Sequence, residues 1–177
     1  YAEYSLLLEK GANPILRHHR FFFHGAAFLW HGKAFIFTGK SGTGKTTQLR
    51  HWISLFPDEI EIINGDKPVI EQREKRFIVY PSPWTGKEGW NGRKSAELGG
   101  IITLEQGDHD QICRLDKKNA VFPLFLQFLY KPDSKESVDL VCGYEQAIIE
   151  NVWCSDYITN ESKKQDVSKK KTRKRKT

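Results

Sequence analysis

Residues 39–47 read Gly39-Lys40-Ser41-Gly42-Thr43-Gly44-Lys45-Thr46-Thr47, which fits the pattern G-x-x-x-x-G-K-S/T. The run Ala34-Phe-Ile-Phe-Thr38 just before it is almost entirely apolar, as expected of a strand buried on both faces. After it, apolar residues recur at i, i+3, i+4 and i+7, which predicts one face of a helix that ends at Pro57. A strand, a glycine loop and a helix in this order predict a phosphate-binding loop.

The residue types of this stretch suit a nucleoside triphosphate. Glycines let the backbone adopt positive φ and approach an anion, and the N-terminus of the following helix adds a partial positive charge. We expect Lys45 to reach the β- and γ-phosphates of ATP and the Thr46 hydroxyl to bind Mg²⁺. The alternative is a glycine-rich turn with a chance lysine. The predicted nucleotide-binding residues are Gly39, Lys40, Ser41, Gly42, Thr43, Gly44, Lys45, Thr46 and Thr47.

Length and composition bound the class of protein. With 177 residues the chain suffices for one domain with a proper core, and it has no apolar run near the roughly 18–20 residues of a membrane span. The first ten residues lack the basic start and cleavage site of a signal peptide, and the absence of methionine suggests a fragment or a processed product. Three cysteines without C-x-x-C spacing predict neither a disulfide framework nor a zinc site. We therefore expect a cytoplasmic protein, because ATP is available in that reducing compartment.

The basic charge of the chain is concentrated at its C-terminus. The formal net charge is +6 for the whole chain, and residues 162–177, with nine Lys or Arg and one Asp, carry +8, which leaves −2 for residues 1–161. We therefore predict a P-loop nucleotide-binding domain over residues 1–160 and a basic, disordered tail over residues 161–177. A nucleic-acid contact through residues 163–176 is one interpretation of the tail. We favour a solvated terminus, because the tail lacks aromatic residues for base stacking.

Alternation and turn signals predict a mixed sheet in which antiparallel strands precede the phosphate loop. A hairpin is predicted from residues 26–30, through the turn at His31-Gly32-Lys33, into residues 34–38. Two more hairpins and two helices are predicted after the loop. A single strand is predicted over residues 59–63. The second hairpin pairs 69–70 with 76–80, and the third pairs 99–105 with 111–115. The helices are predicted over 124–130 and 134–152, and the second of them is capped by Asp133 and Glu136.

Asp66 is the predicted acidic partner of the phosphate loop. Phosphoryl transfer needs an acid that holds the metal or takes the proton from the attacking hydroxyl. Asp66 follows the predicted strand 59–63 and lies 21 residues after Lys45. Because ligands gather at the carboxyl ends of strands in an open α/β sheet, Asp66 is placed where Mg²⁺ needs a carboxylate. The alternative is a turn aspartate in N-G-D-K-P, which turn chemistry alone explains.

Two other features are candidates for the site. Residues 83–90 read PWTGKEGW, and their tryptophans either face a substrate or pin a long loop to the core while the charges face water. The sequence leaves both interpretations open. His24, followed by Gly25, ends a predicted strand near the phosphate loop, where it touches the γ-phosphate or acts on a proton. The alternative is an ordinary packed or solvated histidine.

In their order, these features resemble the HPr kinase / phosphoenolpyruvate carboxykinase-like group of P-loop proteins, and most closely a bacterial branch labelled HPr serine kinase-related. The matching segments are FHGA at 23–26, HGKAFIFTGKSGTGKTT at 31–47, IINGDKPV at 62–69, PWTGKEGW at 83–90 and IITLEQGDHDQICRL at 101–115. The resemblance covers residues 1–153. It implies an α/β P-loop domain of this type, with a mixed sheet and antiparallel strands before the phosphate loop.

For the HPr kinases, the resemblance implies Mg²⁺-dependent transfer of a phosphoryl group from ATP to a serine of a protein. Their His-Gly before the loop strand matches His24-Gly25, and their Asp pair after the next strand matches only Gly65-Asp66. Glu88 is the candidate for the second carboxylate. Members of the group usually continue with a strand or helix beyond about Cys154, where this chain turns basic, which leaves a C-terminal truncation open.

The sequence thus predicts a kinase that transfers the γ-phosphoryl group of ATP to a hydroxyl of a protein, a peptide or a small molecule. The predicted catalytic residues are Lys45, Asp66, His24 and Glu88, and the predicted Mg²⁺ ligands are Thr46 and Asp66. The alternatives are a nucleotide-binding sensor module without turnover and a nucleic-acid-associated protein. The acceptor, the choice between ATP and GTP, and a homo-oligomeric state stay open.

Overall fold

The computed structural model describes residues 2–159 of the chain. Within them are four helices and ten strands: α1 (Ala2–Leu16), β1 (Arg20–Phe23), β2 (Gly25–Trp30), β3 (Lys33–Thr38), α2 (Lys45–Leu55), β4 (Glu61–Asn64), β5 (Val69–Arg73), β6 (Arg76–Tyr80), β7 (Ala96–Gln106), β8 (Gln111–Arg114), α3 (Lys117–Phe125), β9 (Phe128–Leu129), α4 (Lys135–Asn151) and β10 (Trp153–Thr159). None of these four helices is both long and apolar enough to cross a membrane. The predicted tail, residues 161–177, lies outside the described residues, and the domain boundary at 160 stays a prediction.

The strands form one mixed sheet in the order β4-β2-β3-β7-β6-β5-β1-β9. β3 pairs in parallel with β7 and antiparallel with β2, which in turn pairs antiparallel with β4. β10 pairs in parallel with the second half of β7 and antiparallel with β8. β3 and β4 therefore run in the same direction, so that the segments after both strands leave the sheet at the same edge.

Helices cover both faces of the sheet. Leu49 of α2 belongs to one core cluster with Phe37 and Ile102 of the sheet. The preceding residues of those strands, Ile36 and Ile101, belong to a second cluster, because side chains alternate between the two faces of a strand. The helical members of the second cluster come from α1, α3 and α4; they are Leu16, Ala120, Leu124, Val141, Tyr144 and Ile148. The result is a mixed α/β fold with a central sheet.

Two predicted hairpins are confirmed. β2 and β3 pair from Gly25 opposite Thr38 to Trp30 opposite Lys33, so that an antiparallel strand does precede the glycine loop. β5 and β6 pair from Val69 opposite Tyr80 to Arg73 opposite Arg76. This second hairpin turns more tightly than predicted, because Glu71, Gln72 and Arg73 belong to β5 and only Glu74 and Lys75 form the turn.

The third predicted hairpin, residues 99–105 with 111–115, is wrong. β10 lies between β7 and β8 and pairs with both of them. β7 is buried from Gly100 to Leu104 and needs a partner strand that is itself buried, whereas all four residues of β8 are exposed. β10 supplies buried Cys154 and Ser155 and fills this position. The strand β10 thus runs through Cys154, in a stretch before the predicted tail for which the sequence analysis gave no strand.

The predictions for the helices are partly wrong. A helix over 124–130 was expected to begin after Pro123, but α3 begins at Lys117 and contains Pro123, and Phe128–Leu129 is a strand that pairs with β1. α1 was not predicted, because Gly11 and Pro14 interrupt its apolar pattern. The helix predicted over 134–152 is confirmed as α4. The Ser134 hydroxyl caps it by accepting from the Ser137 N–H, whereas the predicted cap, Asp133, accepts from Asn13.

Glu145 of α4 gives the fold a predictable dependence on pH. The side chain is 6% exposed, and its Oε1 has no hydrogen-bond partner among the described residues. Burial raises the pKa of this carboxyl to about 7. Because the folded state holds the proton more tightly than the unfolded state, stability falls as the pH rises from about 4.5 to about 7 and then levels off.

Glu145→Gln is therefore expected to remove this dependence. The free energy of unfolding of the variant should exceed that of the wild-type chain by about 1–2 kcal/mol at pH 8, and by much less at pH 5. Urea unfolding at both pH values measures the effect. Glu150→Gln, an exposed position on the same helix, is the control and should show no such difference. Parallel pH profiles of the wild-type chain and Glu145→Gln would contradict the assignment.

Candidate functional site

The glycine loop, residues 39–44, joins β3 to α2. Gly39, Gly42 and Gly44 all have positive φ, at 131°, 87° and 91°. A Cβ at Gly39 would lie 2.7 Å from the carbonyl oxygen of Leu104, so only glycine fits where the loop crosses β7. No side chain caps the N-terminus of α2, and the first-turn N–H groups of that helix border the loop. The loop therefore combines a tight backbone with the positive end of a helix.

Lys45 is the first residue of α2, and its ammonium group folds back over the loop. Its Nζ donates to the carbonyl oxygens of Gly39 at 2.9 Å and Lys40 at 3.1 Å. Burial lowers the pKa of this ammonium group, and the negative charge of Asp66 opposes the shift. The Thr43 hydroxyl also donates to the Lys40 carbonyl oxygen, at 2.9 Å. These contacts hold the lysine in the mouth of the loop.

Asp66 follows β4, at the same edge of the sheet as the glycine loop. The Asn64 side-chain oxygen accepts from the N–H groups of Asp66 at 3.0 Å and Lys67 at 2.7 Å, which shapes the turn. The Asp66 carbonyl oxygen accepts from the Gly25 N–H at 2.8 Å. The Asp66 carboxylate pairs with the Lys67 ammonium group, and its Oδ1 lies 3.7 Å from the His24 Nε2. Asn64 is fully buried and was not recognised from the sequence as a residue of the site.

His24 lies between β1 and β2, and its backbone is held on both sides. Its N–H donates to the Gln127 carbonyl oxygen at 2.8 Å, and its own carbonyl oxygen accepts from the Thr38 hydroxyl at 2.7 Å. Burial and the positive charge of Lys45 lower the pKa of the imidazole, with Asp66 opposing. The next position, Gly25, has no room for a side chain, because a Cβ there would lie 2.5 Å from the Ile36 side chain. The His-Gly pair thus combines a partly buried ring with a position that is too close to β3 for a side chain.

The tryptophan loop, residues 83–90, lies over Asp66. Trp84 packs edge-on against Phe22 with ring centroids 5.0 Å apart, and Trp90 packs against the core cluster of α2. Between them, Gly86 has φ +70° and approaches Asp66 so closely that a Cβ would lie 2.9 Å from the Asp66 Cβ. Both tryptophans therefore pin the loop to the body of the protein, as one of the two interpretations expected. The loop backbone nevertheless borders the site.

Glu88 of this loop forms an ion pair with α2 and not with Lys45 or Lys67. Its carboxylate pairs with Arg50 of α2, whose guanidinium carbon also lies 5.5 Å from the centre of the Trp90 ring. The position before Asp66, where the resemblance predicts a second carboxylate, is crowded by the tryptophan loop. A Cβ at Gly65 would lie 3.0 Å from both the Thr85 carbonyl oxygen and the Trp90 Cβ. A side chain at position 65 would therefore require a small shift of the loop.

These elements enclose a cleft of about 980 Å³. Most of the predicted site residues line it, namely His24, Ser41, Gly42, Gly44, Lys45, Thr46, Thr47, Asp66 and Glu88. The predicted loop residues Gly39, Lys40 and Thr43 lie outside the lining and support the loop through the contacts described above. Trp84 and Lys87 of the candidate segment 83–90 also line the cleft, and so does Lys67, which was not considered for the site from the sequence. The cleft therefore has cations, one histidine and two carboxylates around a glycine loop.

Comparison with known proteins finds only a distant likeness of fold. No protein-family model matches the chain, and no curated protein matches it significantly. Among solved structures, one match is the HPr(Ser) kinase/phosphatase from Coxiella burnetii, with a TM-score of 0.43 and 10% sequence identity over 78% of this chain and 85% of that chain. This TM-score is too low to carry a functional argument. The distant likeness concerns the fold, and the functional resemblance to HPr kinases stays a prediction.

Proposed function

We propose that the chain binds ATP in the cleft and transfers its γ-phosphoryl group to a hydroxyl of a protein, a peptide or a small molecule. The observation that carries this proposal is the meeting of Lys45, Asp66 and His24 at one edge of the sheet, next to a loop with three positive-φ glycines. A glycine-rich turn with a chance lysine does not explain why a carboxylate and a histidine from distant segments border the same cleft.

The glycine loop and Lys45 hold the phosphates. The loop amides and the N-terminus of α2 suit the negative charge of the α- and β-phosphates. The Lys45 ammonium group leaves its two carbonyl partners for the β- and γ-phosphate oxygens, which are charged acceptors and form stronger hydrogen bonds. Burial of Lys45 strengthens this attraction, because a partly desolvated cation interacts more strongly with an anion.

Thr46 and Asp66 would hold Mg²⁺. Both residues line the cleft, and one hydroxyl with one carboxylate fits an ion that takes its other ligands from phosphate oxygens and water. Because position 86 is glycine, no Cβ crowds Asp66, and room is left on the tryptophan-loop side of the carboxylate. When bound, Mg²⁺ neutralises charge on the phosphate oxygens. Lys67 must release Asp66 for this role, and its ammonium group is then free for a phosphate oxygen.

The reaction is an in-line displacement at the γ-phosphorus. The acceptor hydroxyl oxygen bonds to the γ-phosphorus, the bond from the γ-phosphorus to the β,γ-bridging oxygen breaks, and ADP leaves. Asp66 orients the hydroxyl, and Lys45 stabilises the charge that develops on the phosphates. His24, 3.7 Å from Asp66, is close enough to take part in moving the proton.

A nucleotide-binding sensor without turnover is the second candidate. The observation in its favour is that both carboxylates of the cleft are already paired, Asp66 with Lys67 and Glu88 with Arg50. ATP binding and ADP formation, measured on the same preparation, separate the two functions. ADP formation with Mg²⁺ shows turnover and supports the kinase when an added hydroxyl compound raises the rate above that of hydrolysis by water, whereas tight binding without ADP over hours supports the sensor. A role for residues 163–176 in nucleic-acid binding stays a prediction, as does a homo-oligomeric state.

A further inference from the structure

Gln127 is a buried polar residue that lies directly opposite His24. It occupies the tight connection between α3 and β9, and it is 4% exposed. β9 pairs antiparallel with β1, with Phe23 opposite Phe128, so that the next pair along the ladder is His24 opposite Gln127. The His24 N–H donates to the Gln127 carbonyl oxygen at 2.8 Å, which fixes the two backbones relative to each other.

The side-chain amide of Gln127 can adopt only one orientation. Its Nε2 donates to the Pro123 carbonyl oxygen at 3.1 Å, near the C-terminus of α3, where helix carbonyls lack intrahelical donors. A carbonyl oxygen can only accept, so a flipped amide would place two acceptors against each other. The Gln127 Oε1 therefore faces the His24 Nδ1, at 3.2 Å.

This orientation determines which ring nitrogen of His24 carries the proton. Because the Gln127 Oε1 can only accept, the His24 Nδ1 must donate, and a neutral ring then has its lone pair on Nε2. The Nε2 atom lies 3.7 Å from the Asp66 Oδ1, which is too long for a hydrogen bond, and His24 itself lines the cleft.

We propose that Gln127 is a positioning residue that holds His24 in the Nδ1–H tautomer, so that Nε2 accepts the proton of the attacking hydroxyl. The tautomer follows from the geometry alone, and the proton transfer rests on the proposed function. The acceptor O–H proton passes to Nε2, the oxygen bonds to the γ-phosphorus, and the bond to ADP breaks, which leaves an imidazolium ring and neutralises the new charge in the cleft. Asp66 then serves the metal, and a single aspartate suffices where a pair was expected.

The tautomer is measured without any nucleotide. Two-bond ¹H–¹⁵N correlation spectra of the full chain with ¹⁵N-labelled histidine report which ring nitrogen is protonated, and His24→Asn identifies the signal. We expect Nδ1–H for the wild-type chain. In Gln127→Leu, we expect a shift to Nε2–H, because Asp66 is then the nearest acceptor. An Nε2–H ring in the wild-type chain would overturn the proposal even if Gln127→Leu does not fold.

Steady-state kinetics test the consequence for catalysis. Gln127→Leu should lower kcat for ADP formation about 10- to 100-fold, as loss of a supporting partner typically does, while KM for Mg²⁺·ATP changes little. The exposed Gln146→Leu on α4 should behave like the wild-type chain. A kcat for Gln127→Leu equal to that of the wild-type chain would contradict the positioning role. Absence of ADP formation in the wild-type chain would count against the proposed kinase and leave the spectroscopic result standing.

Discussion

Lys45→Ala is expected to weaken the binding of Mg²⁺·ATP by about 10- to 100-fold, because a charge-assisted hydrogen bond to phosphate contributes about 1.5–3 kcal/mol. The expectation follows from the position of the Lys45 ammonium group at the mouth of the glycine loop, where burial has already removed part of its hydration. ADP formation should fall to background, since the same cation stabilises the transferring phosphoryl group. Isothermal titration calorimetry measures the first effect, and a coupled assay measures the second.

Lys75→Ala is the matched control for this prediction. It removes the same charge from an exposed turn between β5 and β6 that does not line the cleft. Its affinity for Mg²⁺·ATP should equal that of the wild-type chain. Equal affinities for Lys45→Ala and Lys75→Ala would mean that Lys45 does not contact the phosphates.

Asp66→Asn is expected to lower the rate of ADP formation by about 100- to 1,000-fold, because the variant removes both the metal carboxylate and the group that orients the hydroxyl. The substitution keeps the shape of the side chain, so the turn that Asn64 shapes and the contact with Gly86 should persist. Binding of ATP without Mg²⁺ should change little, since the glycine loop and Lys45 stay intact. The dependence of ATP affinity on Mg²⁺ should largely disappear.

The exposed Asp58→Asn serves as the control for Asp66→Asn, and it should keep the wild-type rate. Full ADP formation by Asp66→Asn would show that the assigned mechanism is wrong. Loss of the fold is recognised separately, because thermal unfolding monitored by circular dichroism reports it without nucleotide.

The glycine loop was predictable because its signal is local. The apolar run of β3, the glycines and the periodic residues of α2 are contiguous, so each element could be recognised from its own residues and neighbours. Asp66 was predictable for a related reason. The strand before it was recognised, and strands of one direction end at one edge of a sheet. The position of His24 also agrees with the prediction, since it follows from the β2–β3 hairpin.

The supporting residues could not be predicted, because their partners are far apart in the chain. Gln127 and His24 are 103 residues apart, and they meet only because the two-residue strand β9 pairs with β1. The sequence predicted a helix through Gln127, which would have directed its side chain elsewhere. Asn64 was interpreted as a simple turn residue. Its second contact, to the Ser82 carbonyl oxygen at 3.0 Å, depends on the path of the tryptophan loop.

The crowding at Gly65 also depends on a long-range contact. From the sequence alone, glycine at position 65 indicates only the absence of the second carboxylate that the resemblance predicts. In the fold, the tryptophan loop packs closely onto both Gly65 and Asp66. Similarly, the third hairpin was wrong because a later strand, β10, enters the sheet between two strands that are close in sequence.

The most direct test of the central claim, that the glycine loop and Lys45 hold a polyphosphate together with Mg²⁺, is a calorimetric titration of the full chain with ATP. The account predicts saturable binding of one nucleotide per chain in the presence of Mg²⁺, and clearly weaker binding when the metal is chelated. Absence of saturable binding by the folded protein in the presence of Mg²⁺ would contradict it.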